Sequence, residues 1–447
     1  MSLSSSLSII NLNNSFAIGA AELFAQTLTE QGWIIWATEA WHGDYGEYPP
    51  LFAAFVGAWW SFFEGDPNNP WIRSFCLLSV FFCAVGAGWL CQQMRGPWVI
   101  AFAFTLFAPL LNGIGRHFML EGFVAMWTAL FAASFYRAVT HPSYRSAALS
   151  GLFFGFGMLS KQTFIIVALP VFLLAYRMRL SIIAFIGTSL LICGPWYYTQ
   201  FGKQQEYLQQ SVQSDENAGV LFQIAGPIAD FMWDVVGPLG SALIIWGIWK
   251  LYRTPHTAQK RLLIWLAIGL LLFICIPKKY PRLLLGMTPL AAVFIALGLR
   301  DLRGNLQLLI TTVPMIWLLI GSTQQLSGSF FRQQVDDGAR QIWLRPYDSR
   351  DFGLQLLLDL AQTKQGGTIA IANSPQFPSS IQTTHGWSYH VEPYLRRNGV
   401  EMEVVETTPD SAIWKKAALR VLWYGNIEQK PLPVKINDKP YFQWQQR

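Results

Sequence analysis

The feature that most constrains this 447-residue chain is a succession of apolar runs, each long enough or nearly long enough to cross a bilayer. A transmembrane helix needs about 20 mainly apolar residues. The runs occupy residues 71–91, 98–111, 118–136, 147–159, 163–176, 181–196, 228–249, 262–276, 283–299 and 306–321. Only 13% of the residues are charged, against about 25% in a typical soluble domain. The sequence therefore predicts an α-helical polytopic membrane protein of about ten spans.

Basic residues in alternate connections between the runs predict the orientation of the chain. They are Arg95, Arg137, Arg145, Arg177, Arg179, Lys250, Arg253, Lys260, Arg261, Arg300 and Arg303. The positive-inside rule places these loops in the cytoplasm, and the loops between them on the outer face. The net charge of +6 is spread in singles and pairs, which favours membrane lipids as partners and argues against a nucleic-acid interface.

Two further segments complete the predicted architecture. A crossing at residues 51–63 would place the loops 42–47 and 64–69 on opposite faces and break the alternation, so we expect a helix in the outer interface with Trp59 and Trp60 at headgroup depth. Beyond Gly321 the sequence turns polar, and residues 367–372, 401–405 and 419–424 predict strands that alternate with helices. We therefore predict a transmembrane domain over residues 1–321 and a small extracytoplasmic α/β domain over residues 322–447.

One outward loop, immediately before Pro49-Pro50, carries Asp44, Glu47 and Tyr48. Carboxylates beside an apolar run are costly to desolvate, and a proline pair begins a helix well and orients the residues before it. The simple interpretation is an exposed acidic loop. The interpretation that we favour makes Asp44 and Glu47 catalytic, as a general base and as a ligand of a metal or phosphate site.

A basic segment on the same face complements this loop. Its residues are Lys278, Lys279, Tyr280, Pro281 and Arg282. Three cations at a helix end suit a phosphate or pyrophosphate group, and anchoring to anionic headgroups is the alternative.

Three more charged residues lie at outward helix ends. Arg116 and Glu121 flank the start of a run, either as site residues or as partners of each other. Lys161 stands in a hairpin between two apolar runs, on the face where the topology rule disfavours lysine. It is either a phosphate ligand or a snorkelling lysine.

Acidic and basic groups on one side of a membrane suit transfer from a lipid-phosphate-linked donor. The cations (Arg116, Lys161, Lys278, Lys279 and Arg282) would bind the donor phosphate, and a carboxylate would deprotonate an acceptor hydroxyl. Tyr48, Glu121 and Tyr280 would line the substrate pocket.

Several motifs resemble those of the GT-C glycosyltransferases, in the branch of protein O-mannosyltransferases and lipid A aminoarabinose transferases (glycosyltransferase families 39 and 83). Glu47-Tyr48-Pro49-Pro50-Leu51 resembles the E-x-P-P-L juxtamembrane segment of that family. The similar later elements are Gly115 to Glu121 (R-x-x-M-x-D/E), Gly151 to Lys161 (G-x-x-x-G-x-x-x-L-x-K), Pro195-Trp196-Tyr197, and Lys279 to Arg282 with Pro289. Five weak motifs in the family order, over about the first 320 residues, make a fairly specific signal.

The resemblance implies an integral protein of the bacterial plasma membrane that moves a sugar, with inversion, from a polyprenyl-phosphate donor on the outer face. The acceptor would be a hydroxyl of a lipid, glycan or protein. In some members the glutamate of the E-x-P-P-L segment helps to bind a divalent metal ion, which implies that role for Glu47. The lysine that follows this glutamate in the aminoarabinose branch is Tyr48 here.

The sequence also departs from the family at the catalytic aspartate, which the family carries roughly thirty residues before the proline pair, near Ala17 here. That region of this sequence has no acidic residue, which leaves three alternatives. Glu22, Glu39 or Asp44 takes the role of the family's catalytic aspartate, the chain begins late, or the protein is inactive. We prefer Asp44. The competing functions are a transporter or flippase of lipid-linked sugars, which usually has two matching halves, and an inactive scaffold of the same fold.

Overall fold

The computed structural model of the chain describes residues 21, 24–42, 49–63, 70–108, 110–111, 120–202, 205, 220–275, 281–322, 361–362, 367–373, 400, 402–406, 411–423, 434–436 and 439–441. The chain divides into two compact units. One consists of residues 20–64 and 69–346, and the other of residues 1–19, 65–68 and 347–447. The predicted domain boundary at Gly321 lies just before residues 323–360, which are outside the described part and leave the boundary a prediction.

The first unit is helical. Its helices are α1 (Trp33–His42), α2 (Leu51–Trp60), α3 (Pro70–Gln93), α4 (Trp98–Leu106), α5 (Leu120–Thr140), α6 (Tyr144–Met158), α7 (Phe164–Ala168), α8 (Ile182–Thr199), α9 (Val220–Asp230), α10 (Gly237–Arg253), α11 (Thr257–Ile274), α12 (Thr288–Leu299) and α13 (Gly304–Ser322). A 3-10 helix, Leu169–Ser181, continues α7, and a second 3-10 helix, Pro281–Met287, leads into α12. Two π-helical turns occupy Thr27–Gln31 and Phe231–Val235.

The predicted polytopic helical class is confirmed, although several spans are shorter or more broken than continuous helices. Among the described helices, 4 are long and apolar enough to cross a membrane, and 5 if one bent pair counts as a single span. That pair corrects the single span predicted at 228–249, because segments 225–233 and 237–253 meet at 107°. Gly237, the first residue of α10, takes a φ of +74°, which favours glycine, and Pro238 follows in the first turn of the helix.

Helix α2 agrees with the expectation that residues 51–63 do not cross the bilayer. It is ten residues long, too short to span. Leu51, Phe52, Val56 and Trp60 are buried by protein, and an added Cβ on Gly57 would be 2.5 Å from the Ala21 carbonyl oxygen. The helix is thus packed against its neighbours in the unit, and its placement at headgroup depth stays a prediction.

Helix α5 forms the centre of the transmembrane unit, because almost every side chain from Glu121 to Val139 is buried. It packs against α3, α6 and the 3-10 helix Pro281–Met287. Glycines allow close approach of neighbouring backbones, as is usual between membrane helices. A Cβ on Gly86 would lie 2.8 Å from Ala129 of α5, and one on Gly151 of α6 would lie 2.4 Å from the Phe185 carbonyl oxygen of α8.

Phenylalanines fill the space around α5 in two groups. Near its start, the ring of Phe123 lies 5.5 Å from Phe52, 5.7 Å from Phe75 and 5.4 Å from Trp127, measured between centroids. Further along, Phe131 is surrounded by the rings of Phe135, Phe154, Phe164, Phe172 and Phe185. Such tilted and edge-on pairs favour one arrangement of the helices.

The end of the unit that the topology rule places in the cytoplasm is held by polar contacts. Lys250 donates to the Gly298 carbonyl at 2.9 Å and pairs with Asp301 at 2.8 Å. The bond from Lys250 holds the pKa of Asp301 below its ordinary value. Burial, with Arg300 nearby, lowers the pKa of His256.

The second unit contains the predicted α/β structure. Strands β1 (Thr368–Asn373), β2 (Glu403–Glu406) and β3 (Leu419–Trp423) match the three predicted strands within a few residues. A hairpin, β4 (Val434–Ile436) and β5 (Lys439–Tyr441), was not predicted. The order is β2-β1-β3-β4-β5, with β1 parallel to β2 and β3, and with β3, β4 and β5 antiparallel. A short helix, α14 (Ala412–Lys416), precedes β3.

Candidate active site

A buried ion pair joins two of the residues predicted for the site. The Nζ atom of Lys161 lies 2.9 Å from Oε1 of Glu121, and each side chain is 8% exposed. Glu121 stands in the first turn of α5, where the helix dipole favours a carboxylate. This corrects one sequence-based alternative, because Lys161 is buried rather than snorkelling to the surface. The alternative pairing of Glu121 with Arg116 stays a prediction, since Arg116 lies outside the described residues.

The hairpin between α6 and α7 fixes the position of Lys161. Its backbone N–H donates to the Gly157 carbonyl at 3.2 Å, and its own carbonyl accepts from Phe164 at 3.0 Å. A Cβ on Gly157 would lie 2.4 Å from the Phe164 ring. Gly157 therefore serves the tight return of the chain that brings Lys161 to Glu121.

A main-chain hydrogen bond connects this hairpin to the proline pair that ends the acidic loop. The N–H of Leu51 donates to the carbonyl of Leu159 at 3.2 Å. Leu51 is the first residue of α2, and an N–H at a helix start has no partner inside its helix. Pro49 and Pro50 are buried at this junction. The last residue of the E-x-P-P-L segment is thus bonded to Leu159, which lies two residues before Lys161 in the chain.

The basic segment leads into the 3-10 helix Pro281–Met287, which packs against α5 and α7. At Gly286 an added Cβ would be 2.9 Å from Val167 and 3.3 Å from the Thr128 hydroxyl. Thr128 lies two turns, about 10 Å, along α5 from Glu121. A 3-10 helix rises about 2 Å per residue, so the Arg282 backbone lies about 8 Å before Gly286. The basic segment is therefore joined to an element that packs against α5 at Thr128, about two turns from Glu121.

Other predicted site residues lie outside the described residues. They are Asp44, Glu47, Tyr48, Arg116, Lys278, Lys279 and Tyr280, together with the side chain of Arg282. Their roles stay predictions. Among the described residues, no group of three His, Cys, Asp or Glu side chains is placed to hold a metal ion, and the metal role implied for Glu47 is likewise a prediction.

Two residues near this region were missed as functional candidates. The Tyr197 hydroxyl donates to the Met158 carbonyl at 3.0 Å, next to the Lys161 hairpin, which gives the Pro195-Trp196-Tyr197 motif a structural role. Asp230 is a buried carboxylate at the end of α9, beside a π-helical turn that contacts the 3-10 helix Pro281–Met287. Asp230 was not among the predicted site residues; the available signal was a carboxylate inside the apolar run 228–249.

Comparison with known proteins gives the architecture. No protein-family model matches the chain, and no curated protein matches its sequence. Among solved structures, the crystal structure of ArnT from Cupriavidus metallidurans in the apo state is similar, with a TM-score of 0.56, 15% identity, and coverage of 90% of this chain and 82% of that one. The ArnT structure bound to undecaprenyl phosphate gives a TM-score of 0.55 at 13% identity, covering 92% and 91%.

At these identities the likeness establishes the fold. It agrees with the membrane-spanning helices and with the family that the motifs resemble. The chain therefore has the fold of the ArnT structures.

Proposed function

We propose that the chain is a membrane glycosyltransferase that moves a sugar from a polyprenyl-phosphate donor to a hydroxyl of a lipid, glycan or protein, with inversion, on the non-cytoplasmic face. The observation that carries this proposal is the buried ion pair of Lys161 and Glu121. Lys161 lies two residues after Leu159, whose carbonyl accepts a hydrogen bond from Leu51 of the E-x-P-P-L segment. The fold adds support, since a similar structure is bound to undecaprenyl phosphate.

In the proposed reaction the acceptor hydroxyl gives its proton to a carboxylate, for which Asp44 is our candidate. The hydroxyl oxygen attacks the anomeric carbon, a new C–O bond forms, and the bond from that carbon to the phosphate oxygen breaks. The electron pair leaves with the polyprenyl phosphate. Fixed cations lower the barrier by stabilising the charge that develops on this leaving group.

Lys161 is the described cation assigned to the phosphate. Glu121 positions it, because a charge-assisted bond between two buried groups restricts the lysine to one rotamer. The further assignments follow the sequence. Arg116, Lys278, Lys279 and Arg282 bind the donor phosphate, Tyr48, Glu121 and Tyr280 line the pocket, and Glu47 is catalytic or binds a divalent metal ion.

The test incubates the purified full chain with radiolabelled polyprenyl-phosphate sugars and a membrane extract. We expect label to move to a lipid, glycan or protein fraction, and Asp44→Asn and Glu47→Gln each to abolish the transfer. The matched control is Glu403→Gln, which neutralises an exposed carboxylate on β2. Full transfer by both loop variants would refute their catalytic roles.

A second measurement distinguishes the competing functions. In sealed vesicles, movement of the lipid-linked sugar across the bilayer without transfer of label would favour a flippase. Donor binding with neither movement nor transfer would favour an inactive scaffold. Lys279→Ala with Arg282→Ala should mainly raise the KM for the donor, and an unchanged KM would remove these cations from the phosphate site.

A further inference from the structure

A cavity of about 440 Å³ lies at the opposite end of α5 from Glu121. Its walls are Val139 at the end of α5, Pro142 in the connection to α6, and Tyr176 and Arg177 near the end of the 3-10 helix Leu169–Ser181. Glu121 and Val139 are eighteen positions apart on one helix, or about 27 Å along its axis. The cavity is therefore separated from the candidate active site by most of a bilayer, and its volume is in the range of ligand sites.

The polar wall of this cavity is suited to an anion. Nε of Arg177 donates to the Tyr176 hydroxyl at 3.0 Å, and the guanidinium carbon lies 5.5 Å from the centre of the Tyr176 ring. The bond to tyrosine uses one of five N–H donors and holds the planar group against the ring. A guanidinium fixed in this way presents its remaining donors as a fork that matches phosphate oxygens.

The surrounding sequence provides no carboxylate to neutralise Arg177. No Asp or Glu stands between Glu121 and Glu206, whereas Arg137, Arg145 and Arg177 all lie at this end of the helices. In the part of the chain that the structure describes, no acidic side chain forms an ion pair with these three arginines. Lys250, on the same side of the membrane, is by contrast paired with Asp301.

Apolar side chains lead from the cavity toward the middle of the bilayer. Leu169 and Leu173, which precede Arg177 on the same 3-10 helix, are exposed, and Tyr176 is 72% exposed. Exposed leucines on a membrane-spanning element contact lipid chains, while tyrosine favours the headgroup level. A cationic cavity followed by an apolar surface matches the two parts of a phospholipid.

We propose that this cavity binds the phosphate headgroup of an anionic phospholipid, in the leaflet opposite to the candidate active site. The phosphate accepts from the Arg177 fork, the headgroup lies between Pro142 and the Tyr176 ring, and the acyl chains follow Leu173 and Leu169. The proposal requires the membrane-embedded fold and is independent of the transferase activity.

The test is native mass spectrometry of the detergent-purified full chain with added phosphatidylglycerol or phosphatidylcholine. We expect one phosphatidylglycerol to remain bound at concentrations where phosphatidylcholine does not. Arg177→Gln should weaken that binding about tenfold, as expected for loss of a charge-assisted contact. Arg303→Gln removes a positive charge from an exposed arginine on the same side and should leave binding unchanged.

Three outcomes would overturn the proposal. The first is equal retention of phosphatidylglycerol and phosphatidylcholine by the unaltered chain, and the second is unchanged phosphatidylglycerol binding by Arg177→Gln. The third is a loss of binding in Arg303→Gln as large as that in Arg177→Gln, which would indicate only a general attraction of the lipid to a positive surface. Arg177→Lys provides a second variant that keeps the charge but loses the fork. We expect it to bind with intermediate affinity, and binding equal to that of the unaltered chain would refute the role of the fork.

Discussion

The most informative perturbation removes one side of the buried pair. At 2.9 Å, with an effective dielectric constant of about 20, the gross attraction between Lys161 and Glu121 is about 6 kcal/mol. Desolvation offsets much of it, but removing one partner of a buried ion pair typically costs about 3–5 kcal/mol. Lys161→Met should therefore lower the Tm by several degrees and abolish sugar transfer.

The double variant Lys161→Met/Glu121→Gln separates stability from catalysis. Without either charge, the desolvation penalty disappears, and the Tm should recover most of the loss. Transfer should stay abolished, because the ammonium group needed by the donor phosphate is still missing. The assays are scanning fluorimetry and radiolabel transfer on the four proteins of the cycle.

Two results of this cycle would refute the reasoning. If the double variant is as unstable as the sum of the single variants, the two side chains do not interact as the structure describes. If the double variant recovers transfer together with stability, the pair is structural and Lys161 does not contact the donor.

The remaining predictions concern packing and pH. Gly151→Ala should destabilise the chain by about 1–3 kcal/mol, since its Cβ would meet the backbone of α8, whereas Gly187→Ala meets nothing within 4 Å and should be near neutral in the same melting experiment. Because the pKa of His256 is lowered in the folded chain, the unfolded chain takes up the proton first, and stability should fall as the pH drops below about 6.5. His256→Gln should flatten this part of the profile of Tm against pH. An unchanged profile would contradict the assignment to His256. Tyr197→Phe should cost about 1 kcal/mol through its lost bond to the end of α6, and an unaltered Tm would show that this bond contributes nothing.

The parts of the fold that could be predicted from sequence are those set by local composition. Apolar length identified the membrane helices, and β-branched runs identified β1 to β3. The hairpin of β4 and β5 was missed because each strand has only three residues, too few for a periodic signal. The bend at Gly237 was missed for a related reason, since hydropathy does not report chain direction.

The site was predictable in its residues but not in its pairing. Lys161 and Glu121 were both selected because charges at outward helix ends are costly, but their contact with each other was not predicted. Two successive antiparallel helices place the start of one beside the end of the other, and that geometry joins residues forty positions apart. Such a contact depends on the packing of the two helices, which the sequence alone does not report.

The bond between Leu51 and Leu159 has an evolutionary consequence. Because both of its atoms belong to the main chain, no ordinary side-chain replacement removes it, and only proline at position 51 would delete the donor. The point of attachment of the proline pair beside the lysine hairpin is thus preserved through side-chain changes at positions 51 and 159, apart from proline at position 51. The alignment of these two segments can therefore outlast extensive divergence in sequence.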